Sequence, residues 1–171
     1  MNQLKSDEYP ASWNQYIETV IGDPVEVLIE QITSFPEFLL NIPAGRSEYS
    51  YAEGKWTIKE VVGHILDTER IMAYRALCFA RNDTKELPGF DDEGFVENAH
   101  FNDQSLENYA KEFEFLRRSN VLLIKSFREN DLMRSGLAGE RLVSVRALLY
   151  MMAGHLNHHR TIIQERYLKE H

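Results

Sequence analysis

Apolar residues recur at steps of three and four along most of the chain, and the strict alternation that marks strands is nearly absent. From Pro24 to about Leu40, the residues Val25, Leu28, Ile29, Ile32 and Phe35 share one helical face behind Asp23 as N-cap and Pro24 in the first turn. Pro36 lacks a backbone donor, so the pattern predicts a kink or interruption there. Thr57 and Glu60 have the spacing of a capping box and open a second helix reaching about Arg81, with Val61, Ile65, Thr68, Ile71, Met72 and Phe79 inward. A turn-rich connection through Leu87-Pro88-Gly89-Phe90 and on to about Asp103 has room for one short helix. Ser105 opens a third helix carrying Leu106, Tyr109, Phe113, Leu116, Asn120, Leu123 and Phe127 and ending near Asn130. A glycine-containing loop from Ser135 to Arg141 precedes Ser144, the cap of a fourth helix that runs to Leu168.

Each of the four segments has one apolar stripe and must bury it against the others, which predicts an all-α fold, a four-helix bundle. No repeat, low-complexity tract or linker divides the chain, and 171 residues correspond to about one domain, so 1–171 reads as a single helical domain.

Composition narrows the function classes. Apolar residues make up 43% and charged residues 27%, as in ordinary globular proteins. A net charge of −8 opposes phosphate-backbone binding, so no nucleic-acid partner is expected. The single cysteine, Cys78, fits a reducing compartment. The opening MNQLKSDEYP lacks a signal-peptide core. Apolar runs such as Ala147 to Gly154 are too short to cross a bilayer. The expectation is a cytoplasmic protein without a membrane partner.

Candidate chemistry lies in the histidines. On the fourth helix, with His155 at zero, His159 falls at about 40° and His158 at about −60°. Leu148 at about 20°, Met152 at about 60° and Ile162 at about −20° define the apolar stripe, so His155 and His159 point inward and His158 lies at the edge. His64 shares its face of the second helix with Val61, Thr68 and Ile71 and also points inward. A lone inward histidine is ordinarily a hydrogen-bonded core residue, but three in an apolar bundle each need a partner, which favours a shared metal. Three imidazoles with an open position suit a reactive divalent cation, whether zinc, nickel or iron. His100, in the connection, and His171, at the end of the chain, have no such geometry. The sequence has neither an HExxH arrangement nor the paired Glu-x-x-His motifs of di-iron bundles. One mononuclear site is therefore expected.

Two charged residues on the second helix stand close to this face. Asp67 has the position to orient His64 through its second ring proton, and equally that of a solvated carboxylate. Arg75 lies about 20° from His64 in projection, where a substrate anion or a structural acid would both explain it. Trp56 fits a packing position before the cap, and Cys78 lies too far along the helix to be a ligand.

Gly54-Lys55-Trp56-Thr57-Ile58-Lys59-Glu60, then Gly63-His64-Ile65-Leu66-Asp67-Thr68-Glu69-Arg70, and later Gly154-His155-Leu156-Asn157-His158-His159, resemble in order and spacing the DinB-like/YfiT-like superfamily of metal-dependent enzymes. Ala73 to Leu77, Leu87 to Phe90 and Val143 to Leu149 extend the likeness over most of the chain. The resemblance implies a four-helix bundle with one ligand from the second helix and two from the last, carried here by His64, His155 and His159. It further implies homodimers and chemistry on thiols, since thiol S-transferases and a mycothiol-dependent maleylpyruvate isomerase belong to the superfamily. The expected function is hydrolysis or thiol S-transfer on a small molecule, with a low-molecular-weight thiol as a candidate partner. The competing reading is a non-catalytic metal- or ligand-binding bundle.

Overall fold

A computed structural model describes residues 4–43 and 45–169. Its long helices are α2 (Pro24–Leu40), α3 (Ile58–Ala80), α5 (Leu106–Lys125) and α7 (Val145–Ile162). Between and before them lie the short helices α1 (Asn14–Ile17), α4 (Asp92–Asn98) and α6 (Glu129–Leu132), and a hairpin of β1 (Ser135–Ala138) and β2 (Arg141–Ser144). Helix α2 packs most extensively on α5, and α3 on α7, with α2–α7 and α3–α5 contacts closing the bundle. Helices consecutive in sequence, α2 with α3 and α5 with α7, therefore sit diagonally, and the long connections cross the ends of the bundle.

The helix starts follow local chemistry. Asp23 accepts from the Val25 amide at 2.9 Å. Thr57 and Glu60 close the capping box, with the Thr57 amide donating to Glu60 Oε2 at 2.6 Å and the Glu60 amide to Thr57 Oγ1 at 3.1 Å. Ser105 and Ser144 cap α5 and α7 by accepting from the amides of Asn108 and Ala147. Pro36 does not interrupt α2, which continues to Leu40. The single donor it removes is outweighed by the burial of Phe35 and Leu39 on either side, at 0% and 1% exposure.

The core forms two apolar clusters. One gathers Leu28, Ile32, Met72, Val121, Leu148 and Met152, and the other Phe35, Leu39, Ile65, Phe113, Leu156 and Ile163. Between them lies a buried polar layer of Gln31, Glu69, Arg117 and Asn120, contributed by α2, α3 and α5. Gln31 extends it to α7 by donating to the Ala153 carbonyl at 2.9 Å.

Three features depart from the helical pattern. The stretch 135–141, expected as a loop, belongs to an antiparallel hairpin that extends to Ser144, with Ser135 opposite Ser144. Its four-residue strands are too short for alternation to register. Helix α5 stops at Lys125, with Ser126 as C-cap, short of Asn130, because the chain turns into α6. Helix α7 ends at Ile162 in a π-helical turn, Ile163–Tyr167, which places the Tyr167 hydroxyl to donate to the Trp56 carbonyl at 2.8 Å. No helix among the described residues is long and apolar enough to cross a membrane.

Candidate metal centre

Helix α3 presents His64, and α7 presents His155 and His159, at one point between them. Their ligand-capable atoms lie within 4.8 Å of one another. Nε2 of His155 is 3.0 Å from Nε2 of His64 and 3.1 Å from Nε2 of His159. A ring nitrogen carries either one proton or one lone pair, so His155 Nε2 can satisfy only one of those neighbours. The cluster has more lone pairs than it can use internally, and a cation at its centre would engage all three. The donor set thus fits a divalent metal in an N₃ environment with one or more open positions.

Burial keeps the rings neutral. Desolvation pushes His64 down to about 4, opposed in part by the Asp92 charge, and His159 down to about 3, aided by the neighbouring imidazoles. His155 is held well below the ordinary histidine value by its complete burial and then by the other rings. Neutral rings at pH 7 have lone pairs free for coordination.

Glycines explain how two elements approach the ligands so closely. A Cβ on Gly63, beside His64, would collide with the Phe101 ring, and one on Gly154, beside His155, with the Tyr16 carbonyl. Each glycine preceding a ligand thus admits a segment from outside the four long helices. Trp56 stacks obliquely on His64 at 4.9 Å, and Tyr16 lies 5.5 Å from His155 and 4.9 Å from His158. The structure describes 4–169 apart from residue 44, so His171 falls outside it. His158 packs edge-on to Tyr16 at the margin and His100 is exposed in the connection, neither joining the cluster. Cys78 is a half-buried free thiol that is no part of it.

The two charged candidates on α3 separate. Asp67 accepts from Arg70 at 3.3 Å and makes no hydrogen bond to His64, while Arg70 continues to Glu112. Asp67, placed either to orient His64 or to stand as a solvated carboxylate, is thus tied into a charge chain on the bundle surface. Arg75 is buried and lines a cavity of about 480 Å³ together with His64 and His155. Its Nη2 donates to the Pro88 carbonyl at 2.8 Å, and it has no acid partner among the described residues.

Much of the cavity wall escaped the sequence reading. The N-terminal segment contributes Trp13 and Tyr16, the connection Phe90 and Asp92, and the hairpin Gly139 and Arg141. Backbone bonds strap connection to hairpin, the Leu87 amide to the Leu137 carbonyl and the Gly139 amide to the Leu87 carbonyl, both at 2.9 Å. Asp92 is the single carboxylate among the lining residues. The acidic run 91–93 after the Pro88-Gly89 turn was a visible signal for it. For Tyr16 there was none.

No curated protein matches the chain. Among solved structures it is similar to YfiT from Bacillus subtilis, described as a probable metal-dependent hydrolase with an unusual four-helix bundle topology. That match has a TM-score of 0.72 at 16% identity and covers 96% of this chain and 89% of that one. The diagonal placement of consecutive helices is thus shared with a known fold. The family model of the DinB superfamily matches residues 28–163, a span that contains most of α2, all of α3, α5 and α7 and all three clustered histidines, and the chain belongs to that superfamily.

Proposed function

We propose that the protein is a metal-dependent hydrolase of small molecules, with His64, His155 and His159 holding one divalent cation, zinc, nickel or iron. The observation that carries this reading is the convergence of three neutral imidazoles, two of which, His64 and His155, line a cavity of about 480 Å³, large enough for a small substrate. The similarity to YfiT, described as a probable metal-dependent hydrolase, supports the reaction class.

A bound cation supplies Lewis-acid polarisation and brings the pKa of water toward neutrality. The protein's own groups do the rest. Trp56 and Tyr16 shield the imidazoles from bulk water. Asp92 lines the cavity, and its charge is felt at His64 and Tyr16; its carboxylate accepts the proton that water gives up as its oxygen bonds to the electrophilic carbon. The same proton then passes to the leaving group as the scissile bond breaks. Homodimerisation, implied by the family, would use Phe115 and Leu122, exposed seven residues apart on α5.

The test is elemental analysis of protein purified without a metal column, followed by a screen of ester and amide substrates with and without low-molecular-weight thiols. One equivalent of metal and turnover abolished by His155→Ala are expected. Turnover only with a thiol would redirect the reading to transfer. Stoichiometric metal without turnover would indicate a binding bundle, and metal-free protein under metal-replete conditions would overturn the proposal.

A further inference from the structure

We propose that the cavity takes an elongated small molecule ending in a carboxylate, which Arg75 anchors at the end remote from the three histidines. The inference rests on the metal-centre reading above, which places the reacting bond at the histidine end.

Helix α3 builds one wall of the cavity from His64, Thr68, Met72 and Arg75. Spacings of four, four and three put them in a single stripe along the helix. Among the described residues three arginines are buried, Arg75, Arg117 and Arg146. Arg117 is paired with Glu69 and Arg146 with Glu8, whereas among the described residues Arg75 has only the Pro88 carbonyl, a 3.9 Å contact to Met72 Sδ and the face of Phe90 at 5.7 Å. These engage a minority of its five donors. A buried guanidinium without a counter-ion is costly, and its planar fork matches a carboxylate in two parallel hydrogen bonds.

A second observation also points to a ligand. Thr68 is 3% exposed and lines the same cavity, yet its Oγ1 has no hydrogen-bond partner among the described residues. A helical threonine hydroxyl ordinarily returns to the carbonyl one turn back, so this one is left for a polar group on a bound molecule. Trp13, Phe90, Val143 and Met151 add apolar surface to the remaining walls.

Charge fixes the orientation. Asp92 acts on His64 and disfavours an anion at that end, while Arg141 also lines the cavity and has no acid partner among the described residues. The eleven-residue step from His64 to Arg75 rises roughly 16 Å along α3. The arginine side chain leans back toward the helix N-terminus, leaving a gap on the order of 10 Å. That corresponds to about three extended residues in length.

Calorimetric titration of zinc-loaded and zinc-free protein with octanoate, and with the neutral octanamide, tests the assignment. Octanoate should bind wild type at least about tenfold more tightly than octanamide in both forms. Arg75→Met should abolish that preference while leaving octanamide affinity within about twofold, and Arg75→Gln provides the same reading should methionine not be accommodated. Equal affinity of wild type for the two probes overturns the proposal without recourse to any variant. Octanoate binding that vanishes with zinc and ignores Arg75 also overturns it, since the carboxylate would then sit at the histidines, and leaves the metal reading intact. Failure to bind zinc, with the Arg75-dependent preference retained, would sink the metal reading alone.

Discussion

Arg117 and Glu69 meet across the centre of the bundle through two parallel hydrogen bonds, Nε to Oε1 and Nη2 to Oε2, each 2.7 Å long. Both side chains are almost wholly buried. Asn120 donates to the same Glu69 Oε1 at 3.0 Å, and Arg117 Nη1 also donates to the side-chain Oε1 of Gln31. Gln31 in turn donates to Asn157 Oδ1 at 2.8 Å, two residues from each α7 ligand. All four long helices are thereby tied at one level, which fixes how α7 sits against α3.

Breaking this pair on one side strands a buried charge. Arg117→Met should cost about 3–5 kcal/mol, whereas Arg117→Met with Glu69→Met should recover most of that loss. Urea denaturation of the two variants and wild type would show it. Equal destabilisation by the single and double changes would mean that packing, not the stranded carboxylate, sets the cost.

Gly154→Ala gives a prediction in which two effects have opposite signs. Helix propensity alone would stabilise α7 by about 0.5–1 kcal/mol. The Tyr16 carbonyl occupies the space of the new methyl group, and overpacking against backbone costs about 1–3 kcal/mol. Net destabilisation is expected, with faster amide exchange in the segment around Tyr16. A rise in thermal midpoint would show that the N-terminal segment is not seated as described.

Without metal, stability should fall on acidification. Above about pH 6.5 the clustered histidines are neutral in both folded and unfolded chains and contribute nothing to the pH dependence. Below it the unfolded chain takes up protons that the folded chain refuses until about pH 4 at His64 and about 3 at His159. Stability therefore declines through that window, with a limiting slope of roughly 1.4 kcal/mol per pH unit for each histidine. Urea midpoints of the stripped protein from pH 7.5 to 4.5 measure it. His64→Ala with His159→Ala should flatten the curve.

Metal should stabilise the fold by mass action. At a free concentration about 100 times its dissociation constant, a cation that binds only the folded chain adds about 2.7 kcal/mol. The thermal midpoint should rise with zinc in wild type and stay constant in His155→Ala, whose Nε2 adjoins both other ligands. A midpoint shift that survives this substitution would place the bound zinc elsewhere.

Removing the Thr57 hydroxyl should be felt beyond the cap. It accepts from the Glu60 amide and donates to Asn102 Oδ1 at 2.8 Å, while Asn102 Nδ2 donates to Glu60 Oε1 at 3.1 Å. Thr57→Ala should cost about 1–2 kcal/mol and loosen the connection where Phe101 packs beside Gly63. Hydrogen exchange across residues 99–104 would report the loosening, and unchanged protection there would confine the role of Thr57 to the helix start.

The sequence by itself determined what depends on neighbours a few residues apart. The caps at Asp23, Thr57, Ser105 and Ser144 and the apolar stripes of the four long helices were legible because capping and amphipathicity are local. The inward direction of His64, His155 and His159 followed from the same helical geometry. What required tertiary structure was everything set by long-range approach. Continuation of α2 through Pro36 depends on burial from other helices, and the hairpin at 135–144 on pairing too short to leave a period. The engagement of Asp67 with Arg70 rather than His64 depends on side-chain reach, and the missing acid beside Arg75 on which elements surround it. Helical angles could aim three imidazoles inward, but only the packing of α3 on α7 brought them within 4.8 Å. Only the folding back of the N-terminal segment, connection and hairpin formed the cavity that His64 and His155 line, because those segments are seated through glycine-sized gaps and backbone bonds that no local pattern records.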